Sequence, residues 1–172
     1  HAWIKKLQQS KVVMVLAYQF YLNGYKNAGL DSFSTWVMKQ TTFVQELLGY
    51  ETKMVAGKPE AETTWFYVSG KYVSRMVEGC NAISVIILFA AFIFAFSAKF
   101  KNTFLFILFG SALVFILNIF RIALLTVGLY NYPEYEEFLH NIVFPVVIYG
   151  IVFILWIVWV IKFSGYANRT NK

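Results

Sequence analysis

Hydrophobic positions along this chain gather into long unbroken runs separated by short polar passages. A bilayer crossing takes about 20 apolar residues at 1.5 Å of rise each, and three runs approach or exceed that length. They are Ala82 to Ala98, Thr103 to about Tyr130 with Arg121 inside it, and Ile142 to Ile161. A weaker run, Val12 to Leu22 (VVMVLAYQFYL), is short for a span and predicts a truncated or tilted first crossing. A cleaved leader is the rival reading of that segment, but no small-residue cleavage site follows it.

Two further patterns lie between the first and second runs. In DSFSTWVMKQTTFVQELLGY, Phe33, Trp36, Val37, Phe43, Val44, Leu47 and Leu48 fall at helical spacing, after the capping candidates Asp31 and Ser32 and before Gly49. This predicts an amphipathic helix lying on a membrane surface. Beyond Pro59, TTWFYVSGKYVSRMV places two runs rich in aromatic and β-branched residues around Ser69-Gly70, which predicts a β-hairpin. No repeat, low-complexity tract or linker divides the sequence. The expected fold is an all-α membrane protein of about four transmembrane helices, with an outer amphipathic helix and a small β-hairpin over the site, forming one integral membrane domain over residues 1–172.

Composition agrees with the pattern: 59% of residues are hydrophobic, 20% aromatic and only 14% charged, well outside the norm for soluble globular domains. The net charge of +6 does not point to nucleic acid, because the basic residues are scattered or flank apolar runs instead of forming a stripe. Their placement orients the spans. Lys5, Lys6 and Lys11 accompany the first run, Lys99 and Lys101 fill the link between the second and third, and Lys162, Arg169 and Lys172 follow the last. Every acidic residue (Asp31, Glu46, Glu51, Glu60, Glu62, Glu78, Glu134, Glu136, Glu137) falls in the two remaining segments. Since Lys and Arg accumulate on the cytoplasmic side, both termini are expected in the cytoplasm of a multi-pass inner-membrane protein. Residues 23–80 and 131–139 are then expected on the outer, periplasmic face.

Measured from the cytoplasmic lysines, three polar side chains reach one depth. Lys99 lies nineteen residues from Cys80, Lys101 twenty from Arg121, and Lys162 twenty-two from His140, which as helix is about 28, 30 and 33 Å. Each has an ordinary reading: Cys80 as a small buried hydrophobe, Arg121 snorkelling to the interface, His140 as an interfacial residue. Apolar sequence (IALLTVGLY) continues past Arg121, however, and an ionisable group within the bilayer is costly enough that it usually faces a bundle interior or watery cavity. A shared site near the outer face is therefore expected.

Those residue types permit a narrow chemistry. Cys80, at the expected start of a helix, would have its thiolate favoured by the helix N-terminus and a neighbouring cation. His140 would exchange protons, and Arg121 would stabilise the thiolate or an oxyanion. One cysteine and two histidines are too few for a structural zinc site. A Ser-His-Asp triad is disfavoured with Asp31 as the only aspartate, and no phosphate loop or dinucleotide fingerprint occurs. No metal or cofactor is expected. Asn118 lies one turn below Arg121 on the same face, and Pro145 deprives the Asn141 carbonyl of its helical donor, predicting a bend beneath His140. A non-catalytic membrane subunit or scaffold, in which Arg121 and His140 form a polar contact, and a cysteine-dependent lipid acyltransferase use the same residues.

Three blocks, EGCNAIS, LNIFRIALL and LHNIVFPVVIYG, resemble the signature blocks of the exosortase/archaeosortase family, membrane-embedded cysteine transpeptidases that process proteins bearing C-terminal sorting signals. The resemblance covers about residues 75–162, and the short chain is similar to the compact F-type exosortases. It implies Cys80 as nucleophile, with Arg121 and His140 completing the triad; Asn118, Glu78 and Asn141 are the supporting candidates beside them. It further implies sorting-signal-bearing secreted proteins as substrates, cleaved through a thioester and passed to an acceptor such as a lipid or glycan. The family's cysteine is often followed by Ser-Gly; here Asn81-Ala82 follows.

Overall fold

The computed structural model describes residues 2–25, 30–57, 63–77, 80–96 and 99–163. Helix α1 (Ala2–Asn23) begins well before the apolar run that announced it, carrying its lysines on its first half. Helix α2 (Ser32–Leu47) matches the expected amphipathic segment: Asp31 caps it by accepting from the backbone N–H of Phe33 and Ser34 through Oδ1, and Gly49 follows at φ +88°. Tyr21 Oη also donates to Asp31, at 3.2 Å, tying the end of α1 to the start of α2.

The expected hairpin is present as β2 (Thr63–Val68) and β3 (Lys71–Val77). Ser69 and Gly70 both have positive φ, +49° and +79°, as a two-residue turn of the kind matched to the right-handed strand twist requires. A preceding strand, β1 (Thr52–Ala56), completes an antiparallel sheet of order β1-β2-β3. The sequence reading missed β1, because one buried residue followed by four exposed ones leaves no alternation to see.

Helix α3 (Ile83–Ala95) is shorter than its apolar run: 13 residues make about 20 Å, less than a hydrocarbon core. Helix α4 (Phe100–Asn131) is a single rod of 32 residues. A 3₁₀ turn (Pro133–Tyr135), the single turn α5 (Glu136–Phe138) and a π-helical turn (Leu139–Val143) lead into α6 (Phe144–Lys162). Among the described residues, two stretches, α4 and 133–162, are long and apolar enough to cross a membrane. Where a bend was expected below His140, the chain forms a π turn that contains His140 and in which the Phe144 N–H bonds the Leu139 carbonyl. Pro145 has no N–H to offer the Asn141 carbonyl, so the regular ladder is interrupted there.

Side-chain partition on α4 is that of a helix in lipid. Its buried stripe includes Thr103, Gly110, Val114, Asn118, Ile122 and Thr126, whereas Phe104, Leu108, Phe109, Phe120 and Leu124 point outward. Small and polar residues line the helix contacts because lipid is as apolar as Leu and only close packing and hydrogen bonding favour association. Gly110 lets α3 approach: a Cβ there would overlap the Phe89 ring. Two cores result. One, around Phe89, Ile93, Val114, Val152 and Trp159, holds α3, α4 and α6 together, with Trp159 Nε1 donating to the Phe96 carbonyl at 3.1 Å. The other, made by Val37, Met38, Phe66, Met76, Ile119 and Ile122, packs α2 and the sheet onto α4, and Cys80 lies against it.

Candidate active site

Cys80 stands in the short connection from β3 to α3, and four hydrogen bonds fix that connection. Asn118, on the buried stripe of α4, donates through Nδ2 to the Cys80 carbonyl at 2.8 Å. Asn81, 1% exposed, donates to Tyr18 Oη at 3.0 Å and to Ser34 Oγ at 2.9 Å, so α1 and α2 converge on the residue beside the cysteine. Its Oδ1 accepts from the Ile83 N–H at 3.0 Å. Ala82 between them adopts φ +65°, ψ 0°, the left-handed conformation that a Cβ disfavours.

This corrects one expectation. Cys80 does not open α3; the helix begins three residues later, and its first amide is taken by Asn81.

Arg121 is half-buried on α4, three residues beyond Asn118. Its Nη1 donates to Asn118 Oδ1 at 3.3 Å, so the Asn118 amide spans from the guanidinium to the cysteine backbone. A snorkelling arginine would stretch away from the bundle, whereas this one folds back one turn toward a buried amide. Its Nε is buried and among the described residues has no hydrogen-bond partner, a costly state for a charged donor. His140 lies in the π turn and is exposed.

Cys80, Arg121 and His140 all line one cavity of about 350 Å³, walled by β3, by Ile122, Leu125 and Leu129 of α4, and by Glu136. His140 and Glu136 also border a second, more open cavity of about 380 Å³ with Glu134, Glu137 and Asn141. Asn141 thus borders the second cavity and not the one that holds the cysteine, and Glu78 lies outside the described residues. Among the described residues no grouping of three or more His, Cys, Asp or Glu side chains could hold a metal ion.

Three contributors escaped the sequence reading. Arg75 projects from β3 at the cavity wall, Glu136 stands between the two cavities, and Asn81 organises the cysteine turn. Of these only Asn81 left a signal, as a capping-type residue directly before an apolar run.

A family model described as transmembrane exosortase (Exosortase_EpsH) matches residues 4–160. The chain belongs to the exosortase family. The match extends the expected resemblance from the last three helices to nearly the whole chain, α1, α2 and the sheet included, and does not distinguish the compact type. No curated protein and no solved structure matches the chain. With two long apolar stretches and apolar outward faces, this exosortase is a membrane protein. Ala82 stands where the family's Cys-Ser-Gly sequence would put glycine, and its left-handed conformation is one glycine adopts freely.

Proposed function

We propose that this exosortase is a cysteine transpeptidase that cleaves the C-terminal sorting signals of secreted proteins. The observation that carries the reading is the lining of one cavity by Cys80, Arg121 and His140, three residues from three separate segments whose chemistries complement one another. His140 takes the Cys80 thiol proton, and the thiolate sulfur bonds the carbonyl carbon of the scissile peptide. The resulting oxyanion meets Arg121, whose unpartnered Nε supports a role as donor to an oxygen that arrives only with substrate. The C–N bond then breaks, the leaving amine receives the proton from His140, and a thioester remains on Cys80. An acceptor amine or hydroxyl gives its proton to His140, attacks the thioester and releases the thiol.

In the bilayer we place four crossings, α1, α3, α4 and α6, with both termini and Lys99 and Lys101 cytoplasmic and the cavity at the outer face. The short α3 then lies entirely below Cys80, within the depth that α4 spans. The deciding experiment is mass spectrometry of the protein in membranes or detergent after incubation with a secreted protein carrying a C-terminal hydrophobic segment. An acyl adduct on Cys80 is expected; cleavage that persists in Cys80→Ala would refute the reading.

A further inference from the structure

Strand β3 is the edge of its sheet: in the order β1-β2-β3 it pairs, among the described residues, with β2 alone. Every residue from 72 to 77 lines the cavity that holds Cys80. Side chains of a strand alternate between its two faces, so an unbroken run around one cavity means that the strand presents its edge there. An irregularity in the pairing skips Val73, which accounts for one break in alternation but not for the continuous run Ser74–Val77. On the inner face, Ser74 and Thr126 hydroxyls lie 3.2 Å apart and Met76 is in the core, so the edge is held at a fixed distance from α4.

An edge of this kind carries free backbone donors and acceptors at the spacing of a strand, and what satisfies them is another extended backbone. We propose that a substrate peptide binds as a fourth strand on the free edge of β3, parallel to it, and is delivered along it to Cys80. This rests on the cysteine transpeptidase reading and adds the binding mode. The direction follows from the chemistry. The acyl portion retained on Cys80 approaches it by its C-terminal end, and β3 also approaches Cys80 by its C-terminal end, three residues after Val77. The paired residues are therefore those N-terminal to the scissile bond. Across the cavity stand Ile122, Leu125 and Leu129 of α4, and its volume of about 350 Å³ is the size of a short peptide segment, not of the sheet of a second copy.

The test uses the full-length protein in membranes and, as probe, a synthetic peptide spanning the segment just before the hydrophobic C-terminal helix of a co-expressed secreted protein. Single backbone N-methyl groups are walked along it, and Cys80 acylation and peptide binding to Cys80→Ala are both measured. In parallel, Arg75, exposed at the cavity wall, is replaced by a photo-reactive phenylalanine in the Cys80→Ala protein. Expected are losses of roughly three- to tenfold at every second position N-terminal to the scissile bond, little effect between them, and photo-capture of the peptide at position 75. Acylation of Cys80 with uniform N-methyl effects and no capture would overturn edge pairing while leaving the cysteine chemistry standing. Capture with a two-residue period but no acyl adduct would support the edge site and sink the transpeptidase reading. Photo-capture of a second copy of the chain in place of the peptide would also overturn the proposal.

Discussion

Asn118 donates to the carbonyl oxygen of Cys80 at 2.8 Å, across 38 positions of sequence. Its amide oxygen meanwhile accepts from Arg121, so one buried side chain, 1% exposed, sets the cysteine turn and the guanidinium relative to each other. Asn118→Ala would leave the Cys80 carbonyl without this donor and Arg121 without its acceptor. A buried polar group so orphaned costs about 1–3 kcal/mol, and a lower unfolding temperature in detergent is expected. Cys80 acylation is expected to slow by about tenfold or more, because the cysteine turn and the Arg121 guanidinium lose their common anchor. Full acylation rate in Asn118→Ala would show that the bridge is structural only.

Arg121 separates two roles by substitution. As a forked donor to an oxyanion, it is not replaceable by a single ammonium, so Arg121→Lys is expected to lose about 10²–10³-fold in turnover while the protein remains folded and peptide binding is retained. Wild-type turnover in Arg121→Gln would remove the residue from the chemistry.

Ala82 provides a stability test in the favourable direction. Left-handed backbone costs a residue with a Cβ about 1–2 kcal/mol, against a smaller entropic penalty for glycine in the unfolded chain. Ala82→Gly is expected to stabilise by up to about 1 kcal/mol, and Ala82→Val to destabilise by more, read as unfolding midpoints in one detergent. A loss of stability in Ala82→Gly would contradict the φ of +65°.

Gly110 and Phe89 form a close contact between α3 and α4. Because the added methyl would overlap the ring, Gly110→Ala is expected to destabilise by about 1–3 kcal/mol. Combining it with Phe89→Leu is expected to recover part of the loss, since that pair is no longer overpacked. Strictly additive losses in the double variant would place the two residues out of contact.

Topology is open to chemical labelling. With Cys80→Ala as background, Lys101→Cys is expected to react with a membrane-impermeant thiol reagent only from the cytoplasmic side, and Lys71→Cys, at the exposed start of β3, only from the outer side. The reverse pattern would invert the assignment.

What the sequence determined by itself is local. The long apolar stretches of α4 and of 133–162, the Asp31 cap of α2, the Ser69-Gly70 turn and the break imposed by Pro145 each depend on residues within a few positions of one another, where periodicity and backbone sterics suffice. Helical rise also converted residue counts into an expected common height for Cys80, Arg121 and His140. Height gives no azimuth, and only packing decided that the three would line one cavity. The start of α3 was decided the same way: Asn81 is held by Tyr18 and Ser34 from two other helices, and the turn they fix starts α3 at Ile83, three residues after Cys80. β1 formed because a neighbouring strand supplied its hydrogen bonds, although its own pattern carried no alternation. The edge of β3 likewise became a cavity wall because α4 stood opposite it, a relation between segments far apart in the chain that no window of sequence contains.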